Sequence, residues 1–221
     1  MVMNMKYYEL RKQIADTFRF MIKHNLSSYY GGNISIRTPE NPRNFLITPS
    51  GKKKDTLQPE DIVIIDKNGN VLEGEYKPSI EHSMHIEIYQ HRKDINAIIH
   101  AHTIFSSAFA VARVDIPKLI EEYVIAIGGE VKVAKFAPAG SKELAENIVD
   151  ALGIRKAALV ANHGVVACGK NLEDALNVLV SVEKTAQLYV YAKLLGEPYQ
   201  LPEDVSSRMI ELYKKRNNLT E

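Results

Sequence analysis

From Lys6 to Asn25 the apolar positions Tyr7, Leu10, Ile14, Phe18, Met21 and Ile22 recur at helical spacing, with Lys and Arg between them. This predicts an amphipathic helix. The period then changes. Tyr30-Gly31-Gly32-Asn33 reads as a tight turn, and Ile34-Ser35-Ile36-Arg37 alternates like a strand. Phe45 to Thr48 is a second strand, ending at Pro49-Ser50-Gly51, and Ile62 to Ile65 a third. Asp66 to Asn70 is a hairpin turn into Val71-Leu72. Pro78-Ser79 opens a helix running to about His91, its inner face marked by Met84, His85 and Ile88. Asn96 to Ala101 is an apolar strand, and Thr103 to Arg113 a helix. Val124 to Ile127 and Val131 to Ala134 read as strands flanking Gly128-Gly129. Ser141 caps a helix that Gly153 stops. Ala157 to Val160 and Val165 to Cys168 are buried strands. Leu172 to Leu195 is a long helix and Val205 to Arg216 a shorter one. Helices mixed with short strands, several joined by tight turns, predict an α/β fold with a mixed sheet. No repeat, low-complexity tract or linker divides the chain, so residues 1–221 are expected to form one domain with a C-terminal helical tail from about 200 to 221.

Composition narrows the classes. The 221 residues are 45% apolar and 25% charged, the balance of a soluble globular protein with enough chain to bury a core. With 28 Lys and Arg against 27 Asp and Glu, the net charge of +1 provides no global field toward nucleic acid or anionic membrane. Cys168 stands alone, which excludes an internal disulfide and any multi-cysteine zinc knuckle. The first residues lack the apolar core of a signal peptide, and no apolar run approaches the roughly 20 residues of a membrane helix, so the expected compartment is the cytoplasm. Seven His remain, with no further Cys to share metal work with them.

Four features could carry chemistry. His100-Ala101-His102 ends an apolar strand. Alternation puts residues i and i+2 on one face about 6.6 Å apart, from where two imidazoles can lean toward one ion; they are otherwise two unrelated polar residues. His163, in Asn162-His163-Gly164, follows a buried strand and is either a satisfied core histidine or a third ligand. Three His with an exchangeable position is a common catalytic zinc arrangement. Glu81 begins a helix, where it either complements the dipole or serves as general base or fourth ligand. The turns Gly31-Gly32-Asn33 and Thr48-Pro49-Ser50-Gly51, with Ser79 and the cations Lys52, Lys53 and Lys54, would favour an anion such as phosphate if one site used them all. His24, His82, His85 and His91 read as ordinary residues. A cupin would place a carboxylate soon after the His-x-His, and a metallo-β-lactamase-type site an Asp-His; neither is present, nor is His-Glu-x-x-His.

In this order, Gly31-Gly32-Asn33-Ile34-Ser35, Thr48-Pro49-Ser50-Gly51, Pro78-Ser79-Ile80-Glu81, His100-Ala101-His102 and Asn162-His163-Gly164 resemble the class II aldolase/adducin family, from about Tyr7 to Leu195. The resemblance implies a three-layer α/β/α sandwich with a mixed, largely antiparallel sheet. It implies Zn2+, or another divalent metal, on His100, His102 and His163, with Glu81 as further ligand and catalytic acid/base. Asn33, Ser50, Gly51 and Ser79 match phosphate-holding positions, and Tyr123 falls near the tyrosine that protonates the aldehyde oxygen. The implied reaction is reversible cleavage of a ketose 1-phosphate to dihydroxyacetone phosphate and an aldehyde, in a homotetramer with sites at subunit boundaries. Two positions depart from the aldolase pattern: Ile80 replaces a second Ser beside Glu81, and Tyr213 matches only loosely the C-terminal tyrosine lent to a neighbouring subunit. The epimerases of the family usually carry Asp in place of Glu81. The dehydratases place an acid soon after the His-x-His, where this chain has none until Asp115. Adducin-like scaffold domains lose the metal ligands that this chain retains.

Overall fold

The computed structural model describes residues 5–219, so the outermost residues of the expected 1–221 domain and of its 200–221 tail lie outside the description. In chain order the elements are α1 (Tyr8–Lys23), β1 (Asn33–Arg37), β2 (Asn44–Ile47), β3 (Val63–Asp66), β4 (Val71–Glu73), α2 (His82–His91), β5 (Ala97–Ala101), α3 (Ile104–Ala112), α4 (Glu121–Ile127), β6 (Lys132–Ala134), α5 (Lys142–Leu152), β7 (Ala157–Val160), β8 (Gly164–Gly169), α6 (Leu172–Leu195) and α7 (Glu203–Arg216). Eight strands form one sheet in the order β4-β3-β2-β1-β5-β8-β7-β6. Neighbours run antiparallel except β6 and β7, which are parallel.

Strand alternation divides the buried side chains into two cores. On one face Ile34, Ile36, Ala97, Ile99 and Ala101 pack with Ile14 and Phe18 of α1, Phe109 of α3, and Val178 and Val182 of α6. On the other, Phe45, Ile47, Val63, Ile98 and Val166 pack with Met84 and Ile88 of α2 and Leu144 and Ile148 of α5. Each fully buried aliphatic chain contributes roughly 1.5–3 kcal/mol. The result is the three-layer sandwich with a mixed, largely antiparallel sheet. Cys168, buried in β8, is a free thiol that burial pushes up to about 12. Among the described residues no helix is long and apolar enough to cross a membrane.

Two elements differ from the sequence expectation. Val124 to Ile127 is not a strand but the end of helix α4. Its buried residues, Val124 and Ile127, stand three apart, which is helical spacing. Glu121 and Glu122 lie in its first turn, and Gly128, with φ of 96°, closes it by donating to the Val124 carbonyl. The apolar run Val-Ile-Ala-Ile resembles a strand only when its acidic and glycine flanks are ignored. The second helix starts at His82, so Glu81 is its N-cap residue rather than part of its first turn. Pro78 instead bridges to Pro49, which holds that segment against the end of β2.

Candidate active site

β5 carries Ala97, Ile99 and Ala101 into the first core, so His100 projects toward the second face with Ile98 and is fully buried. His102 follows at the strand end, its Nε2 3.1 Å from His100 Nε2. β8 pairs with β5, Val166 opposite His100 and Val165 opposite Ala101. The tight turn between β7 and β8 therefore delivers His163 to the same place. The three ring centroids stand 4.7–4.9 Å apart, and one nitrogen from each imidazole lies within 4.8 Å of the others. Buried Glu81 completes the group, with Oε2 3.4 Å from His100 Nε2 and Oε1 3.6 Å from His163 Nδ1.

The backbone around the histidines is closely fitted. A β-carbon on Gly31 would come within 2.6 Å of Ser28 Oγ and 2.7 Å of His102 Nδ1. One on Gly32, whose φ is 77°, would meet the His100 carbonyl at 2.6 Å, and one on Gly164 would collide with the Ala101 carbonyl. The Gly31-Gly32 turn, read from sequence as part of an anion site, thus backs the histidine pair.

Electrostatics favour a cation among these groups. His100 donates from Nδ1 to the Val165 carbonyl at 3.0 Å, leaving the Nε2 lone pair to the site. Burial, then neighbouring His102 and His163, hold His100 well below its ordinary value. Burial followed by His163 lowers His102. Neutral imidazole is the ligand form. Glu81 Oε1 is buried with no hydrogen-bond partner, and among the described residues no Lys or Arg pairs with Glu81. Convergent nitrogen lone pairs beside an unsatisfied carboxylate oxygen fit a divalent ion of the zinc type.

The proposed anion-holding residues are only partly drawn together. Ser50 N donates to the Lys77 carbonyl at 2.9 Å and Ser79 N to the Thr48 carbonyl at 3.0 Å, so the Pro49-Ser50-Gly51 and Pro78-Ser79 turns stand side by side. Gly51, with φ of 69°, faces open space. Ser79 is buried, and its Oγ accepts from Glu81 N at 3.3 Å. Asn33 turns inward, donating from Nδ2 to Glu81 Oε2 at 2.8 Å. The lysine run does not supply free positive charge. Lys52 pairs with Asp61, Lys53 with Asp55, and buried Lys54 donates to the Pro49 carbonyl at 2.7 Å. Ile80 is 69% exposed beside these turns.

Neither tyrosine reaches the cluster within this chain. Tyr123 lies on α4, packed against the first core. Tyr213 is fully buried; its hydroxyl donates to the Ile154 carbonyl at 2.6 Å, and its ring lies where a β-carbon on Gly128 would go. It is thus a packing residue of its own chain. Of the four histidines read as ordinary, His85 is the buried one, a core histidine whose ring nitrogens are bonded to Asn33 and Ser35. Its spacing of four from Glu81, on a helix beside the alternating polar residues of β1, was the signal that could have found it.

Fold and side chains describe a three-layer α/β protein in which three imidazoles that could hold a metal ion converge beside a buried carboxylate. Residues 12–190 match the family model described as Class II Aldolase and Adducin N-terminal domain, and the chain belongs to this family. It is 37% identical over 205 residues to a 5-deoxy-D-ribulose 1-phosphate aldolase of Bacillus thuringiensis serovar kurstaki, covering 92% of this chain and 95% of that protein. It is 36% identical over 200 residues to the L-fuculose phosphate aldolase of Escherichia coli K12, covering 90% and 91%. A solved L-fuculose 1-phosphate aldolase superimposes with a TM-score of 0.87 at 39% identity, covering 96% of this chain and 99% of that one.

Proposed function

We propose that this chain is a divalent-metal aldolase, with Zn2+ as its metal, that reversibly cleaves a ketose 1-phosphate to dihydroxyacetone phosphate and an aldehyde. The names of its relatives support a substrate of the fuculose 1-phosphate or 5-deoxyribulose 1-phosphate kind. One observation carries the reading: the buried, unpartnered Oε1 of Glu81 beside three converging imidazoles.

His100, His102 and His163, with Glu81, would hold the ion, which when bound supplies Lewis-acid polarisation of a carbonyl. In the cleavage direction the bond between the third and fourth carbons breaks, and its electron pair stays on the third carbon. Glu81 delivers a proton to that carbon and removes it in the reverse reaction. As the aldehyde forms, the fourth-carbon hydroxyl gives its proton to Tyr123 while the phenol releases its own. This released proton replaces the one Glu81 delivers to the third carbon, so that both groups end as they began. In synthesis Tyr123 protonates the aldehyde oxygen by the same relay run backwards. Since Tyr123 packs on its own core without touching Glu81, this role is proposed across a subunit boundary of a homotetramer. Ser50, Gly51 and Ser79 hold the phosphate, with the second Nδ2 proton of Asn33 available to it.

Metal analysis together with turnover of a panel of ketose 1-phosphates tests the reading. Bound zinc with release of dihydroxyacetone phosphate is the expected result. Zinc without turnover would indicate a closed structural site, and no bound metal a scaffold domain. Glu81→Gln is expected to retain most of the metal yet lose deuterium exchange into dihydroxyacetone phosphate by roughly 10²–10⁴-fold; unchanged exchange would remove Glu81 from this role.

A further inference from the structure

The polar face of β1 and one stripe of α2 share a repeat. Four helical residues rise about 6 Å and two strand residues about 6.6–6.8 Å. Glu81, His85 and Tyr89 therefore keep step with Asn33, Ser35 and Arg37. Asn33 meets Glu81 and His85, Ser35 meets His85 and Tyr89, and Arg37 donates to the Tyr89 carbonyl at 3.0 Å. Asn33, Ser35, His85 and Tyr89 are all buried, so their hydrogen bonds cannot be exchanged for water without cost.

The direction of every bond follows from the carboxylate. An ionised Glu81 only accepts, so Asn33 must face it with Nδ2, at 2.8 Å. Asn33 Oδ1 then faces His85 Nε2 at 2.5 Å, and because a carbonyl oxygen only accepts, Nε2 carries the proton. Burial, followed by neighbouring His100, whose protonation would compete with its own, holds His85 down at about 3, so the ring is neutral and Nδ1 is bare. Ser35 Oγ, 2.7 Å away, donates to it. With its one proton committed, Ser35 accepts from the Tyr89 hydroxyl at 2.9 Å. Tyr89, Ser35, His85 and Asn33 thus form a one-way series of donors that ends on Glu81 Oε2.

We infer that His85 is a positioning residue for Glu81: by fixing which end of the Asn33 carboxamide faces the carboxylate, it anchors Oε2 beside His100 and keeps Oε1 turned toward His163. Without a donor at His85 Nε2, the Asn33 carboxamide is free to turn, and its oxygen would repel the carboxylate. The role accounts for a buried histidine that touches no ligand nitrogen, and it commits Asn33 chiefly to the acid/base residue. Its kinetic consequence rests on the aldolase reading; the arrangement of protons does not.

Side-chain ¹⁵N–¹H spectra of the full-length protein at neutral pH test the series directly. His85 should be the neutral Nε2–H tautomer, and Ser35→Ala should shift its Nε2–H resonance. An Nδ1–H tautomer, or an unmoved resonance, would overturn the series. In turnover, His85→Leu should lower kcat roughly 10–100-fold with KM and metal content nearly unchanged. His85→Gln, whose amide can donate to Asn33 Oδ1, should recover most of that loss. A folded, metal-loaded His85→Leu protein with wild-type kcat would overturn the positioning role. Should His85→Leu fail to fold, Ser35→Ala carries both the spectrum and the kcat comparison, with a smaller loss expected. If the wild-type protein turned over no ketose 1-phosphate, the aldolase reading would fall, and the tautomer spectra would still decide the series.

Discussion

Strand β1 presents Ile34 and Ile36 to one face of the sheet and Asn33, Ser35 and Arg37 to the other, and the neighbours on each side match. On the first face, helices α1, α3 and α6 pack through Phe18, Phe109 and Val178, groups that attract without direction. On the second, helix α2 meets β1 through hydrogen bonds whose donors and acceptors must alternate. A slip of α2 by one turn would leave an apolar face with other apolar neighbours. It would leave His85, Ser35 and Asn33 with unmatched buried polar atoms. Both faces bury apolar side chains, and on the second the hydrogen bonds between α2 and β1 also set the register that brings Glu81 to the histidines.

Substitutions on the two faces should therefore separate chemistry from stability. The largest effect is expected at the end of the polar face. His100→Ala should abolish bound metal, read by elemental analysis, and with it measurable turnover, as should chelation of the wild type, with recovery on adding zinc. On the apolar face, Ile99→Ala opens a cavity at a fully buried site and should cost about 2–5 kcal/mol in urea unfolding. Its kcat should stay near wild type; a lost kcat with an intact site metal would break the division between the faces. Gly31→Ala lies between the two, since its β-carbon meets His102. It should cost about 1–3 kcal/mol and weaken metal retention. The smallest effect concerns a buried ammonium, Lys54, which lies beside the Phe18 ring of the apolar face. Burial lowers it from 10.5 to about 8, so the cost of keeping it charged is fully present below pH 8 and is relieved as pH rises toward 10.5. The stability of the wild type relative to Lys54→Met should rise across that window, as thermal melts at several pH values would show.

The sheet and most helices were legible because their alternation and helical spacing are uninterrupted, as in Ile34 to Arg37 and in α1. α4 was not, because four apolar residues in a row have no visible period, and the helix is decided by Glu121, Glu122 and Gly128 around them. His100 and His102 were legible as a pair on a strand end, whereas nothing local linked them to His163. The pairing of β5 with β8 makes that link. His85 was placed on the inner face of its helix with Met84 and Ile88, but its partners Asn33 and Ser35 lie some 50 residues away and become visible only through the packing of α2 on β1. The Lys52-Lys53-Lys54 run suggested a cationic pocket, but the acids that pair with two of these lysines, Asp61 and Asp55, become relevant only through the fold.

The sheet also ends in a way that governs how copies of the chain can meet. Its two outermost strands, β4 and β6, have three residues each, and each carries a charge engaged with its own chain. Glu73 pairs with Arg11 at 2.5 Å, and Lys132 with Glu130 at 2.7 Å and Asp115 at 3.1 Å. Strands this short, held by ion pairs, are poor templates for a ninth strand from another molecule. Despite its eight strands, the sheet should resist joining edge to edge into fibrils.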